Sequence, residues 1–218
     1  MIDLTIEARG FAPSAAAIAL RTAGACPAMR YRPDFRVIAA IGLFIVSHSD
    51  GDGYRFQTAT RHLQEGETTV DLMAWAEQHL PGEGAIVSWS SWGSTPGRLA
   101  RLADRELHPR LSAAAHDTAG RWRDLPQSLT WHLRQASSWP VPCICGTELY
   151  SPDCTATAPV SLLPAEDVTA PELIAEAIAG WQAWARLFHD FDDDRHPAAQ
   201  ALKALDAWRR ESPLAASA

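Results

Sequence analysis

Lysine is almost absent: of 19 basic residues only Lys203 is one, and the rest are arginines. That skew reads as coding bias rather than chemistry. Against the 19 stand 26 acidic residues, for a formal net charge of −7. An acidic chain is not a general nucleic-acid coat, because neutralising a phosphate backbone takes a basic surface. The balance leaves room for an enzyme that handles one nucleic-acid end in a local groove. Long apolar runs are also missing. The longest, Val37 to Val46, has ten residues and is too short to cross a bilayer as a helix, so no membrane partner is expected. Four cysteines in 218 residues do not make a disulfide scaffold. Met1-Ile2-Asp3 opens no basic and apolar leader, so the expected location is cytoplasmic. There is no glycine-rich phosphate loop and no dinucleotide fingerprint.

What is present suffices for a core: 47% of the residues are apolar. One α/β domain is expected over residues 1–212, with a frayed tail at 213–218. Ile2 to Ala8 alternates apolar and polar residues, the period of a strand. Residues 9–34 are loop-like, and Ala15 to Leu20 suits a short helix. Arg36 to Ser47 and Tyr54 to Ala59 flank the turn signal His48-Ser49-Asp50-Gly51-Asp52-Gly53 and make a hairpin. Thr68 with Asp71 opens a helix that Pro81-Gly82 stops. Ala85 to Trp89 is a short apolar strand, and Pro96 suits the first turn of the next helix. Leu125 to Ala136 can be helical, and Ser137 to Pro164 reads as irregular. Helices over Glu172 to Phe188 and Pro197 to Arg210 close the chain. The order is a three-strand meander, a helix, a parallel strand and flanking helices.

The stretch Ile86-Val87-Ser88-Trp89-Ser90-Ser91-Trp92-Gly93-Ser94-Thr95-Pro96-Gly97-Arg98-Leu99 resembles the second motif of the DEDD-type 3′–5′ exonuclease superfamily. The resemblance is to the group like the exonuclease domain of family-B DNA polymerases. Ser90-Ser91 stands where that motif has Asn-Gly, and Ser94-Thr95 where it has Phe-Asp. Leu4-Thr5-Ile6-Glu7-Ala8 resembles the first motif, with Glu7 matching its glutamate and Thr5 in place of its aspartate. Ala165-Glu166-Asp167-Val168-Thr169 resembles the third. The resemblance implies a ribonuclease-H-like mixed sheet and a protein that acts on or binds the 3′ end of single-stranded DNA or RNA. It implies Mg2+ or Mn2+ held by carboxylates if the site is active. Two of the four carboxylate positions are Thr5 and Thr95, and a neutral hydroxyl is a poor ligand for a hard dication. Two-metal catalysis is therefore expected to be impaired or lost, as in a pseudoenzyme. Asp3 shares a strand face with Thr5 and Glu7, so Asp3, Glu7 and Asp167 are the remaining candidates for a single metal. Trp89, Ser90, Trp92 and Ser94 are candidates for contact with a nucleotide, by stacking or hydrogen bonding.

Other constellations have plainer readings. Cys143, Cys145 and Cys154 would need a fourth ligand to hold zinc, and free thiols are the simpler account. Asp190, Asp192, Asp193 and Asp194 lack the glycine and terminal glutamate of a calcium loop and read as a solvated turn. Gly93 to Gly97 has Thr95 where a nucleophile elbow needs serine. Arg121, Arg123 and Arg134, interleaved with Trp122 and Trp131, form a small basic–aromatic patch, whose plainer reading is surface arginines. A non-enzymatic interaction protein reusing the fold is the alternative function.

Overall fold

The computed structural model describes residues 10–24, 36–90, 95–117, 120–126, 169–188 and 195–211. Five strands and five helices are defined in them: β1 (Ala15–Gly24), β2 (Arg36–Ser49), β3 (Gly53–His62), α1 (Thr69–His79), β4 (Ala85–Ser90), α2 (Thr95–Leu102), α3 (Pro109–His116), β5 (Trp122–Pro126), α4 (Ala170–Arg186) and α5 (Pro197–Glu211). The strands form one mixed sheet in the order β3-β2-β1-β4-β5. β1 is antiparallel to β2, and β2 to β3, while β1, β4 and β5 run parallel. The fold is thus α/β, with a five-stranded mixed sheet and helices on both faces. Among the described residues no helix is long and apolar enough to cross a membrane.

The expectation for residues 9–34 is corrected. Ala15 to Leu20 is neither loop nor helix but the first half of β1, the middle strand of the sheet. The alternating segment Ile2 to Ala8 lies outside the described residues. Alanine favours helix intrinsically, but a strand buried on both faces reads as a continuous apolar run without alternation. Leu125 is likewise in a strand, β5, rather than at the start of a helix.

One face of β1 carries Ala15, Ala17 and Ala19, which lie under α4 with Phe44, Val87, Leu173, Trp181 and Trp184. Small side chains let the helix come close. A Cβ on Gly42, opposite Ala19, would lie 2.9 Å from Leu173 Cβ. Phe44 stacks on Phe56 at 5.7 Å, and the Trp181 ring meets Phe44 edge-on. The other face carries Ala16, Ile18, Leu20, Ile41 and Leu43 against Leu72 and Met73 of α1, Leu99 of α2 and Leu111 of α3. The pairing of β1 with β2 shifts register between Arg21 and Thr22: Arg21 faces Ala40 and Thr22 faces Ile38, leaving Ala39 extra. The Ala39 carbonyl instead accepts from the Leu63 N–H at 2.8 Å.

Local signals act as the sequence suggests at several ends. Asp71 Oδ2 accepts from the Thr68 N–H at 2.7 Å and starts α1. These contacts, the Thr68 N–H first, hold the Asp71 carboxyl below its usual range. Thr169 and Glu172 make the same arrangement at α4. Gly84 has φ +86°, and a Cβ there would lie within 2.3 Å of the Ser14 carbonyl oxygen. That close passage brings β4 beside β1, with the Ala85 N–H donating to Ser14 O at 3.1 Å.

Candidate functional site at the carboxyl edge of the parallel strands

β1, β4 and β5 point the same way, so their C-terminal ends make one edge of the sheet. From β1 the chain returns through β2 on one side; from β4 it proceeds to β5 on the other. In open α/β sheets ligands bind outside the carboxyl ends of the parallel strands. α2 begins at this edge, five residues after β4 ends. α4 runs opposite to β1: Leu173 packs over Gly42, whereas Trp184 stacks on Phe11, before β1 begins. The N-terminal half of α4 therefore also lies toward this edge.

Arg21 sits on β1 three residues beyond Ile18, the last position paired with β4. Its side chain is fully buried and follows Ala15, Ala17 and Ala19 on the face toward α4. Nη1 lies 2.8 Å from Glu176 Oε2, an ion pair, and donates to the Leu20 carbonyl at 3.0 Å. Nε and Nη2 have no hydrogen-bond partner among the described residues. Burial raises the Glu176 carboxyl above its usual range, and the Arg21 charge opposes that only in part.

On the opposite face, β4 and β5 share a second polar chain. Trp122 Nε1 donates to Ser88 Oγ at 2.7 Å, and Ser88 Oγ donates to Asp124 Oδ1 at 2.5 Å. Ser88 and Trp122 are each 1% exposed, so this chain satisfies a hydroxyl and an indole that water does not reach.

The residues singled out in the sequence fall as follows. Thr95 is the first residue of α2 and is buried. Trp89 and Ser90 close β4, in register with Leu125 and Pro126 of β5. Asp3, Thr5, Glu7, Trp92, Ser94 and Asp167 lie outside the described residues, as do the three cysteines near residue 150 and the aspartates at 190–194. The basic–aromatic patch is corrected where it can be seen. Trp122 is core, Arg123 is 7% exposed, and Arg121 donates to the carbonyls of Gly84 and Pro81 at 2.8 Å. These residues hold β5 and the β4 approach together because they lie on a strand and its entry, not on a surface helix. Arg134 and Trp131 lie outside the described residues.

A divalent cation does not suit the α4-facing side of β1. Three alanines offer it no oxygen, and the next side chain is a guanidinium. Two elementary charges against one at ~4 Å repel by about 8 kcal/mol even at an effective dielectric of about 20. Among the described residues no group of three or more histidines, cysteines or carboxylates could hold a metal ion.

Arg21 and Glu176 were not apparent as a pair, though each leaves a trace. Arg21 is the single charge in the apolar run Ala15 to Ala23. Glu176 interrupts the apolar stripe of α4 three residues after Leu173 and one before Ala177. A lone charge on an apolar face needs a partner, but sequence does not say which. Compared with known proteins, the chain matches no family model and no curated protein.

Proposed function

We propose that this chain is a ribonuclease-H-like domain, related to 3′–5′ exonucleases, that binds nucleic-acid 3′ ends with two-metal catalysis impaired or lost. Three features support the fold relationship. The first three strands are antiparallel neighbours, a helix crosses over, and β4 returns parallel to β1. The stretch resembling the second exonuclease motif runs from β4 into α2, at the edge where parallel strands present ligand sites. α4 crosses the sheet beside β1, as the helix after the third motif would.

What supports the loss of catalysis is Thr5 and Thr95, which stand at two of the four carboxylate positions that the resemblance implies. The first-motif segment lies outside the described residues, but β1, the middle strand of the sheet, bears a buried guanidinium paired with Glu176, and that positive charge opposes a dication beside it. The site would then hold an end without cleaving it.

The test uses end-labelled single-stranded DNA and RNA with Mg2+ or Mn2+. Retardation of the oligonucleotide without shortening is the expected result. Metal-dependent shortening that Glu7→Ala abolishes would overturn the loss of catalysis. Absence of any retardation would favour the alternative, an interaction protein without enzymatic activity.

A further inference from the structure

Arg21 uses one side of its guanidinium and leaves the other open. Nη1 makes both described contacts, to Leu20 O and to Glu176 Oε2. Nε and Nη2 make none among the described residues, although the side chain is 0% exposed. These two nitrogens carry parallel N–H groups along one edge of the plane. That edge accepts two oxygens of one oxyanion at once, which a lysine does not reproduce. Buried charged donors are ordinarily satisfied, and this pair has no partner among the described residues.

We propose that the Nε–Nη2 edge of Arg21 is an oxyanion site for a phosphate group, and that Glu176 is the internal anion that holds Arg21 until phosphate replaces it. The surroundings suit that occupant. The register shift lies directly beside Arg21, with the extra residue Ala39 on the partner strand β2, and bulges are frequent beside sites. Arg21 lies past the last residue of β1 that pairs with β4, where the parallel strands diverge.

Glu176 is the weak member of the pair. Burial raises its carboxyl above the usual range against the pull of the Arg21 charge, and it meets only Nη1 of the guanidinium. A phosphate group brings more than one acceptor oxygen and can meet Nε and Nη2 together. The Glu176 side chain is 16% exposed, although its Oε2 atom is buried against Arg21. Exchange therefore requires the carboxylate to turn outward as the oxyanion takes the open edge of Arg21. No bond is made or broken. The site needs only a phosphate group and stands apart from the nucleic-acid reading above.

The probe is inorganic phosphate, titrated by equilibrium dialysis against the full chain at constant ionic strength. Wild type is expected to bind saturably. Glu176→Gln, which removes the competing charge at equal volume, is expected to bind about tenfold tighter, a step of one decade in Kd. Arg21→Lys, which keeps the charge and loses the two-point edge, is expected to bind about tenfold weaker or not at all. Far-UV circular dichroism checks the fold of each variant, and Glu176→Gln carries the test if Arg21→Lys does not fold. Equal or weaker binding by Glu176→Gln overturns the proposal, and so does wild type without saturable binding. Displacement of bound phosphate by a 3′-phosphorylated oligonucleotide, but not by its 3′-hydroxyl form, supports the site with a nucleic-acid end as the source. Saturable binding without displacement supports it with free phosphate as the ligand.

Discussion

Removing the carboxylate of Glu77 tests how the helical layer over β4 and β5 is held. α3 starts without a cap of its own: His108, at the N-cap position, makes no side-chain cap hydrogen bond, and Pro109 has no N–H. The next two N–H groups are taken by Glu77, reaching over from α1. Its Oε1 accepts from the Arg110 N–H at 3.0 Å, and its Oε2 accepts from the Leu111 N–H at 2.7 Å. Arg110 Nε adds a contact to Oε1 at 3.1 Å, and its Nη2 reaches the Glu77 carbonyl. A lost cap costs about 0.5–2 kcal/mol, and a buried N–H without a partner about 1–3 kcal/mol. Glu77→Ala is therefore expected to cost about 2–4 kcal/mol. The Arg110 side chain is half exposed, so its ion pair is worth at most about 1 kcal/mol. Arg110→Ala keeps both backbone N–H donors and is expected to cost no more than that. Urea unfolding followed by tryptophan fluorescence reads both. Equal costs for the two variants, or less than ~0.5 kcal/mol for Glu77→Ala, would refute capping as the dominant role. The pH dependence has a definite sign. Burial works to raise the Glu77 carboxyl, but the Leu111 N–H, the Arg110 N–H and the guanidinium outweigh it and hold it below 4.5. A depressed carboxyl stabilises fully above its unfolded value. The margin of wild type over Glu77→Gln should thus be complete at neutral pH and close as pH falls from about 4.5 through the lower folded value.

Gly42→Ala should lower the urea midpoint by about 1–3 kcal/mol of stability, because the new methyl would lie 2.9 Å from Leu173 Cβ and 3.0 Å from Leu173 O. Gly51→Ala, with nothing within 4 Å, is the control and should leave the midpoint unchanged. Ser88→Ala should cost about 1–3 kcal/mol in the same assay, since it removes the hydroxyl to which the buried indole N–H of Trp122 donates. A neutral result there would mean that this bond does not hold β5 to β4.

Much of the fold was legible because its signals are local. The turn between β2 and β3, the Thr68–Asp71 start of α1 and the apolar stripe of α4 each fit inside a short window of sequence. The failure at β1 has a physical cause. Ala15 to Leu20 has the composition of a helix, and its role depends on neighbours that no window contains: β2 and β4 at its sides and a helix layer over each face. Alanine is there because α4 comes close, not for its backbone preference. The short α3 and β5 were missed for a related reason, because Glu77 and Ser88, each more than thirty residues away, supply their polar partners. Near the candidate site, the strand read over Ala85 to Trp89 and the helix start read at Pro96 each lie within one residue of the observed ends, Ser90 and Thr95. Arg21 and Glu176 belong together only through the packing of α4 on β1, a contact between residues far apart in the chain.

The extra residue at Ala39 acts on β2 as a frameshift acts on a gene. Ala40 and Phe44 face α4, while Ile41 and Leu43 face the opposite helices. Simple alternation would therefore send Ile38 toward α4, yet it packs with Ile41 and Leu43. One inserted residue has exchanged one helix layer for the other at Ile38. Chain length at this point thus decides which layer a residue joins. An alignment that gains or loses one residue between Ile38 and Ala40 would assign Ile38 to the wrong layer, however similar the letters look.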